Sequence, residues 1–341
     1  MLDTPLKPAA TQSQDVLTIE NLKAYYINEH FGVKREVRAV DDISLTVRKN
    51  EVYGLAGESS SGKTSLIKTL AGAIRPPMRV VGGSVKFDFG GEIIDVYGEP
   101  QKMKPARWKH LSYIMQGSMN VLNPVRRVKH AFKDFAFRHM MLDPVTFRAR
   151  VEEHLQRLHL DPNVLEAFPH QLSGGMRQRV TIALATVCEP EFIIADEPTT
   201  ALDVLVQQDV LGLIKEVQTR LQSSVVFVTH DMSVHAAIAD RLGIMYAGRL
   251  VEEGPTQAMF DRPQHPYTAH LIASLPRIGD VSTRKSLHGK PPALSNPPSG
   301  CRFHPRCPIA IERCSKEVPQ MLPSVIGGRV ACFRAGEIAV Q

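Results

Sequence analysis

The chain has 341 residues, 43 % of them hydrophobic and 22 % charged, with a formal net charge of +6. That length and apolar content support a globular chain with one large buried core or two moderate ones. The basic balance permits attraction to phosphates or an anionic surface, but only 6 % of residues are aromatic and no Lys/Arg run is interleaved with them. A single-strand nucleic-acid face is therefore not expected, and nucleic acid is not expected among the partners.

Residues 1–14 are polar and contain prolines, so they read as a frayed terminus. They lack the basic-then-apolar order of a secretory signal, and the longest apolar runs, such as VTIALATV at 180–187, fall short of the ~18 residues a spanning helix needs. EVYGLAG, residues 51–57, reads as a buried strand. KTSLIKTLAGA, starting at Lys63, reads as a helix with Leu66, Ile67 and Leu70 on one face. Between them lies the pattern G-x-x-x-x-G-K-[ST], set by Gly57, Gly62, Lys63 and Thr64, with Ser59, Ser60 and Ser61 in its middle and Ser65 beyond it. Backbone N–H groups of such a loop, added to a helix N-terminus, make a concave cradle for the phosphates of ATP. Lys63 is placed to reach the β- and γ-phosphates, and the Thr64 hydroxyl to ligate Mg²⁺.

VVGGSVKF (80–87), FIIADEP (192–198) and SVVFVTHD (224–231) read as further strands, and the interleaved helical stretches point to an α/β domain over residues 15–262 with a largely parallel sheet. Functional groups then belong at the strands' C-terminal ends. FIIADEP ends in Asp196, a candidate Mg²⁺ holder, and Glu197, a candidate to orient or deprotonate the lytic water. Between about 100 and 188, AFKDFAFRHMML and FRARVEEHLQRLHL carry helical spacing with no clear strand, which predicts a helical insertion. After 262, LHGKPPALSNPPSG reads as a loop, followed by a small cysteine-bearing appendix over 263–341.

Cys188 stands alone as a core thiol, whereas Cys301, Cys307, Cys314 and Cys332 crowd the C-terminus. Without an export signal they are not read as disulfides. Four thiolates satisfy the ligand count of an iron–sulfur cluster or of tetrahedral Zn²⁺. Spacings of five, six and seventeen intervening residues include none of the short pairs of zinc ribbons, which favours a [4Fe–4S] cluster with Zn²⁺ as the alternative.

HQLSGGMRQRV, residues 170–180, places Ser173, Gly174 and Gly175 at the start of a helix running to about Cys188, and it resembles the signature motif of ABC ATPases. Other positions resemble that family in the expected order. Tyr26 resembles the aromatic that stacks on adenine, with Tyr25 beside it as the second choice. Gln116 resembles the glutamine that senses Mg²⁺ and γ-phosphate, Asp203, ending ALD, the loop through which two subunits communicate, and His230 the switch histidine that contacts the γ-phosphate. The resemblance implies a P-loop ABC ATPase domain with a RecA-like parallel core, an antiparallel β part and a helical insertion. It also implies that Ser173, Gly174 and Gly175 serve ATP held by a second subunit, their own phosphate-binding loop being too far away.

HPYT (265–268), GKPP (289–292), GCRFHPRCPIAIERC (300–314) and Met176 after the signature resemble the ATPases of dipeptide/oligopeptide importers. The resemblance implies a second ABC ATPase subunit of a different chain, two transmembrane permease subunits and an extracytoplasmic solute-binding protein. The chain would sit peripherally on the cytoplasmic face of the cell membrane, moving di- or oligopeptides; related importers carry oligosaccharides or nickel. Clusters occur among relatives with this extension, in line with the [4Fe–4S] expectation. A soluble ABC ATPase acting on nucleic acid or the ribosome is the alternative, but such members carry two cassettes or a coiled-coil insertion, and this chain has one cassette and no sustained heptads. The importer group reads glycine where this chain has Ser60. Because the general pattern demands only Gly57 and Gly62, Ser60 is expected to accept an ordinary negative φ and the loop to be competent.

Overall fold

Alternating apolar residues along β1 (Asp15–His30) bury Leu17, Ile19, Leu22 and Ala24, while Val40, Ile43, Leu45 and Val47 do the same on β2 (Val33–Arg48). With β4 (Met78–Phe89) and β5 (Glu92–Asp95) they form a four-stranded antiparallel sheet in the order β2-β1-β4-β5. The computed structural model describes residues 15–115, 121–200, 203–275, 287 and 289–337.

The second sheet is built on three strands buried at every position: β3 (Val52–Ala56), β7 (Phe192–Asp196) and β8 (Ser224–Val228). Such unbroken apolar runs suit a parallel sheet covered on both faces. β6 (Leu111–Ile114) pairs parallel with β7, β7 with β8, β8 with β3, and β3 with β9 (Arg241–Tyr246). β10 (Arg249–Pro255) then turns back antiparallel on β9, and the short strands β12 (Arg329–Val330) and β11 (Leu322–Pro323) continue the sheet. The parallel strands thus deliver Ala56, Asp196 and Val228 to one end, where the site lies.

α1 (Lys63–Leu70) follows β3 directly. α2 (Pro100–Lys109) is interrupted by non-helical Arg107 and Trp108. α3 (Val128–Phe135), α4 (Phe137–Met140), α5 (Pro144–Arg157) and α6 (Gly174–Thr186) pack around Phe132, Val151, Leu155, Val180 and Leu184. α5 begins where Asp143 accepts the N–H groups of Val145 and Thr146 and Pro144 takes the first helical position. α7 (Val204–Leu221) and α8 (Met232–Ile238) alternate with the strands. The stretch from 100 to 188 is not wholly helical: it contains β6, whose four residues LSYI are too few to show a period. None of the described helices is long and apolar enough to cross a membrane.

Beyond β10 come α9 (Thr256–Asp261), α10 (Pro266–Ala273) and, after the proline-rich loop, α11 (Glu312–Lys316). This part is joined to the main body where β12 pairs with β10 through Glu252 and Val330, and where Phe303, fully buried, packs against Tyr246 and Tyr267 with ring centroids 5.2 and 5.4 Å apart.

The expected cysteine metal centre is corrected here. Among the described residues no group of three or more His, Cys, Asp or Glu side chains is arranged to hold a metal ion, so neither a [4Fe–4S] cluster nor Zn²⁺ is supported. Cys301, Cys307, Cys314 and Cys332 are free thiols. Burial pushes Cys301 and Cys332 up to about 11, and Cys307 upward as well. The space these side chains border has a volume of about 10 Å³, room for about one water. Aromatic packing and ion pairs brace the extension instead. Cys188, half-buried against the helical cluster, is likewise raised by burial to about 11.

Candidate nucleotide site

The loop between β3 and α1 needs its two glycines for space as well as for backbone angle. Gly57 has φ +146° and a Cβ there would lie 2.2 Å from Met245 O; Gly62, at φ +102°, would place one 2.0 Å from Ala39 O. The Lys63 ammonium folds back under the loop, donating to Gly57 O at 2.6 Å, Glu58 O at 2.9 Å and Ser61 Oγ at 3.4 Å. Ser61 is buried, its carbonyl accepting Gly248 N–H at 2.8 Å, whereas Ser59 and Ser60 lie exposed at the tip. Ser60 does not have the ordinary backbone expected of it: its φ is +66°. The tight path between Glu58 and Gly62 imposes the left-handed conformation that glycine would take without strain.

Burial pulls Lys63 down to about 8, against the carboxylates of Glu197, Asp196 and Glu58, which act to raise it. A desolvated ammonium with this balance favours an arriving polyanion. Thr64 is the second residue of α1, and Ser65, buried behind it, shares a 3.2 Å hydrogen bond with the Tyr26 hydroxyl. Tyr26 therefore stands beside the loop. Tyr25 is instead tied to Asp41 Oδ1 at 2.5 Å.

Asp196 closes β7 only 3 % exposed. Its Oδ2 accepts the Tyr113 hydroxyl at 3.1 Å, whereas among the described residues Oδ1 has no hydrogen-bond partner. Burial raises this carboxyl, and the Tyr113 hydrogen bond opposes the shift. An orphaned buried carboxylate oxygen beside a hydroxyl-bearing helix start suits a hard cation that takes oxygen ligands, so Asp196 and Thr64 fit Mg²⁺. Glu197, next along, has a strained φ of +46°; its carboxylate accepts from Thr200 Oγ1 at 3.0 Å and lies 3.4 Å from His230 Nδ1. His230 follows β8 with its ring largely in solvent. β7 and β8 are neighbours, which is why residues 33 positions apart meet.

Ser173 and Asp203 each cap a helix. Ser173 caps α6, accepting Met176 N–H at 3.2 Å, with Gly174 and Gly175 opening the helix; a Cβ on Gly175 would meet Val206 of α7 at 3.2 Å. Asp203 caps α7, accepting Val206 N–H at 2.9 Å. Gln116, and the first two residues of ALD, fall outside the described residues. Two contributors were not foreseen: Tyr113, the partner of Asp196, and Gln178, whose Nε2 donates to Pro198 O and so links α6 to the loop after Glu197. Neither stands in a phosphate-binding pattern, and only pairing of β6 with β7 reveals the first.

Residues 40–200 match the ABC transporter family, and residues 251–314 match the oligopeptide/dipeptide transporter C-terminal region. The chain is 39 % identical to the dipeptide transport ATP-binding protein DppD of Caldanaerobacter subterraneus, over 93 % of this chain and 96 % of the relative. It is 36 % identical to the oligopeptide transport ATP-binding protein OppD of Escherichia coli, over 99 % and 98 %. Its fold resembles the ATP-binding cassette MJ0796, solved as a dimer in a post-hydrolysis state with ADP and Pi, at a TM-score of 0.59 and 24 % identity over 70 % of this chain and 98 % of that one. A phosphate cradle built on β3, an acidic pair ending β7 and a C-terminal region shared with these relatives converge on one conclusion: the chain belongs to the ABC transporter ATP-binding family, in its dipeptide/oligopeptide branch, and is an ATPase working with ATP and Mg²⁺.

Proposed function

We propose that this chain is one half of an ATPase dimer that powers uptake of dipeptides or oligopeptides through two membrane permease subunits, supplied by a solute-binding protein. The observation that carries the reading is near full-length similarity to DppD and OppD, extending through the C-terminal region. The chain then works peripherally on the cytoplasmic face of the membrane, with a different chain as the other half of the dimer. Residues 15–262 form the nucleotide-binding domain, its helical part near 100–188, and 263–341 form the extension.

Under this reading the loop from Gly57 to Ser65 cradles the phosphates, Lys63 neutralises the β- and γ-oxygens, and Tyr26 stacks on adenine. Thr64, Asp196 and Gln116 would hold Mg²⁺, which would supply charge neutralisation at the phosphates. Glu197 accepts the proton of the attacking water, with His230 beside it reaching the γ-phosphate. Ser173, Gly174 and Gly175 serve the nucleotide of the partner subunit, and Asp203 carries contacts between subunits. Glu197→Gln keeps the shape and removes the base: nucleotide binding is retained while turnover falls by about 10²–10⁴. Steady-state ATPase rates and nucleotide retention, measured on one preparation, check this; wild-type turnover removes Glu197 from the catalytic role.

A further inference from the structure

The extension does more than pack against the ATPase body, because it takes hold of the phosphate-binding loop itself. Glu58, the residue after Gly57, is gripped from two directions. Its carboxylate receives both guanidinium arms of Arg306, at 2.8 and 3.0 Å, and its backbone N–H donates to the Tyr267 hydroxyl at 2.7 Å. Tyr267 belongs to HPYT and Arg306 to GCRFHPRCPIAIERC, two segments that resemble the importer ATPases. A bidentate arginine–carboxylate pair fixes orientation as well as distance.

Each gripping residue is itself fixed. The Arg306 side chain is 7 % exposed, donates to the Tyr246 hydroxyl at 3.2 Å and lies over that ring at 5.8 Å. Tyr267 is fully buried between Tyr246 and Phe303. Its helix is anchored where Glu252, wholly buried on β10, accepts the N–H groups of Gln264 and His265 at 2.8 and 2.9 Å. Arg302, buried, adds a second fastening through hydrogen bonds to Asp41 and to Ala247 O. On the other face of Glu58, its carbonyl accepts the Lys63 ammonium at 2.9 Å. One residue of the loop, Glu58, therefore stands between the extension and the lysine aimed at the phosphates.

We propose that the C-terminal extension is a built-in positioning device for the nucleotide site, in which Arg306 and Tyr267 act through Glu58 to hold the phosphate-binding loop in its binding shape. Neither residue touches substrate; each acts on the pre-organisation of the loop, so their effect falls on nucleotide affinity and not on the chemical step. By linkage, nucleotide binding in turn tightens the hold of the extension on the body. The inference rests on residues 57–65 being the ATP cradle.

The test uses the full-length chain and a fluorescent ATP analogue with Mg²⁺, together with ATPase kinetics. Arg306→Ala is expected to raise the nucleotide Kd about ten-fold and KM in parallel, with kcat within about two-fold of wild type. Arg306→Lys, which keeps charge but not the bidentate fork, recovers part of the loss. Tyr267→Phe keeps the ring and removes one hydroxyl, giving a rise of about three-fold; it serves if Arg306→Ala does not fold. Arg306→Ala combined with Glu58→Gln is no worse than the weaker of the two single variants, because both act through one contact. Unchanged Kd in folded Arg306→Ala and Tyr267→Phe, or strictly additive losses, overturns the proposal. Lys63→Ala separates the two levels of the reading: if it abolishes binding while the extension variants do not affect it, the positioning role alone fails, and if it leaves binding intact, the cradle assignment fails with it.

Discussion

Ser60 shows how far single residues could be understood in advance. The loop pattern identified Gly57, Gly62 and Lys63, because the demand for small residues and a buried cation is written into the spacing. The backbone angle at Ser60 is not, since it depends on how the tip closes between Glu58 and Gly62, and the structure puts it at φ +66°. A side chain held there costs about 1–2 kcal/mol. Ser60→Gly relieves that strain in the cradle and is expected to tighten ATP by about two- to ten-fold at unchanged kcat, as read by calorimetric titration. An unchanged Kd means the strain is not borne by the nucleotide-binding state. Asp196 and Glu197 were visible as an acidic end to an apolar strand, but the orphaned Oδ1 and the Tyr113 hydroxyl that turns Oδ2 away from it emerge only once β6 lies against β7.

At the scale of elements, the parallel core was readable because β3, β7 and β8 are unbroken apolar runs, whereas β6 and the pairing of β12 with β10 were not, being two to four residues long and held by neighbours distant in sequence. The cysteine spacing suggested a metal centre, yet the extension is braced by Phe303, Arg302 and Arg306 on the body, contacts that no spacing rule encodes. α5 and α6 are joined by His154, whose Nε2 meets Thr186 Oγ1 at 2.9 Å in a buried setting. Burial lowers His154 to about 3, below the ~6.5 of an unfolded chain. The unfolded state therefore takes up the proton first. The stability this neutral histidine allows is complete above about pH 6.5 and declines as pH falls toward the folded value, by up to about 1.4 kcal/mol per pH unit. Urea midpoints taken between about pH 7 and 5 should fall more steeply for wild type than for His154→Gln. Parallel slopes would contradict a neutral buried imidazole there. α6 offers a second test: Ser173→Arg places a long cation at its exposed start, so nucleotide binding to one chain persists while the ATP-dependent dimer, followed by size exclusion with Glu197→Gln chains, is lost. A dimer of undiminished stability argues against a role for this helix start across a subunit interface.

For the whole molecule, one construction principle joins these scales. A parallel sheet gathers the phosphate loop, the acidic pair and His230 at one end, and an extension folded onto the sheet's far edge returns to grip the same loop through Glu58. The cradle is thereby supported by parts of the chain more than two hundred residues away. The central claim, that hydrolysis at this site drives peptide uptake, is tested most directly by labelled-peptide accumulation into vesicles. These should contain the chain together with its permease subunits and partner ATPase, with solute-binding protein added on the side it serves and ATP with Mg²⁺ on the other. ATP-dependent accumulation that disappears in Glu197→Gln while nucleotide binding persists is the predicted result; accumulation independent of ATP, or undiminished in Glu197→Gln, would contradict it.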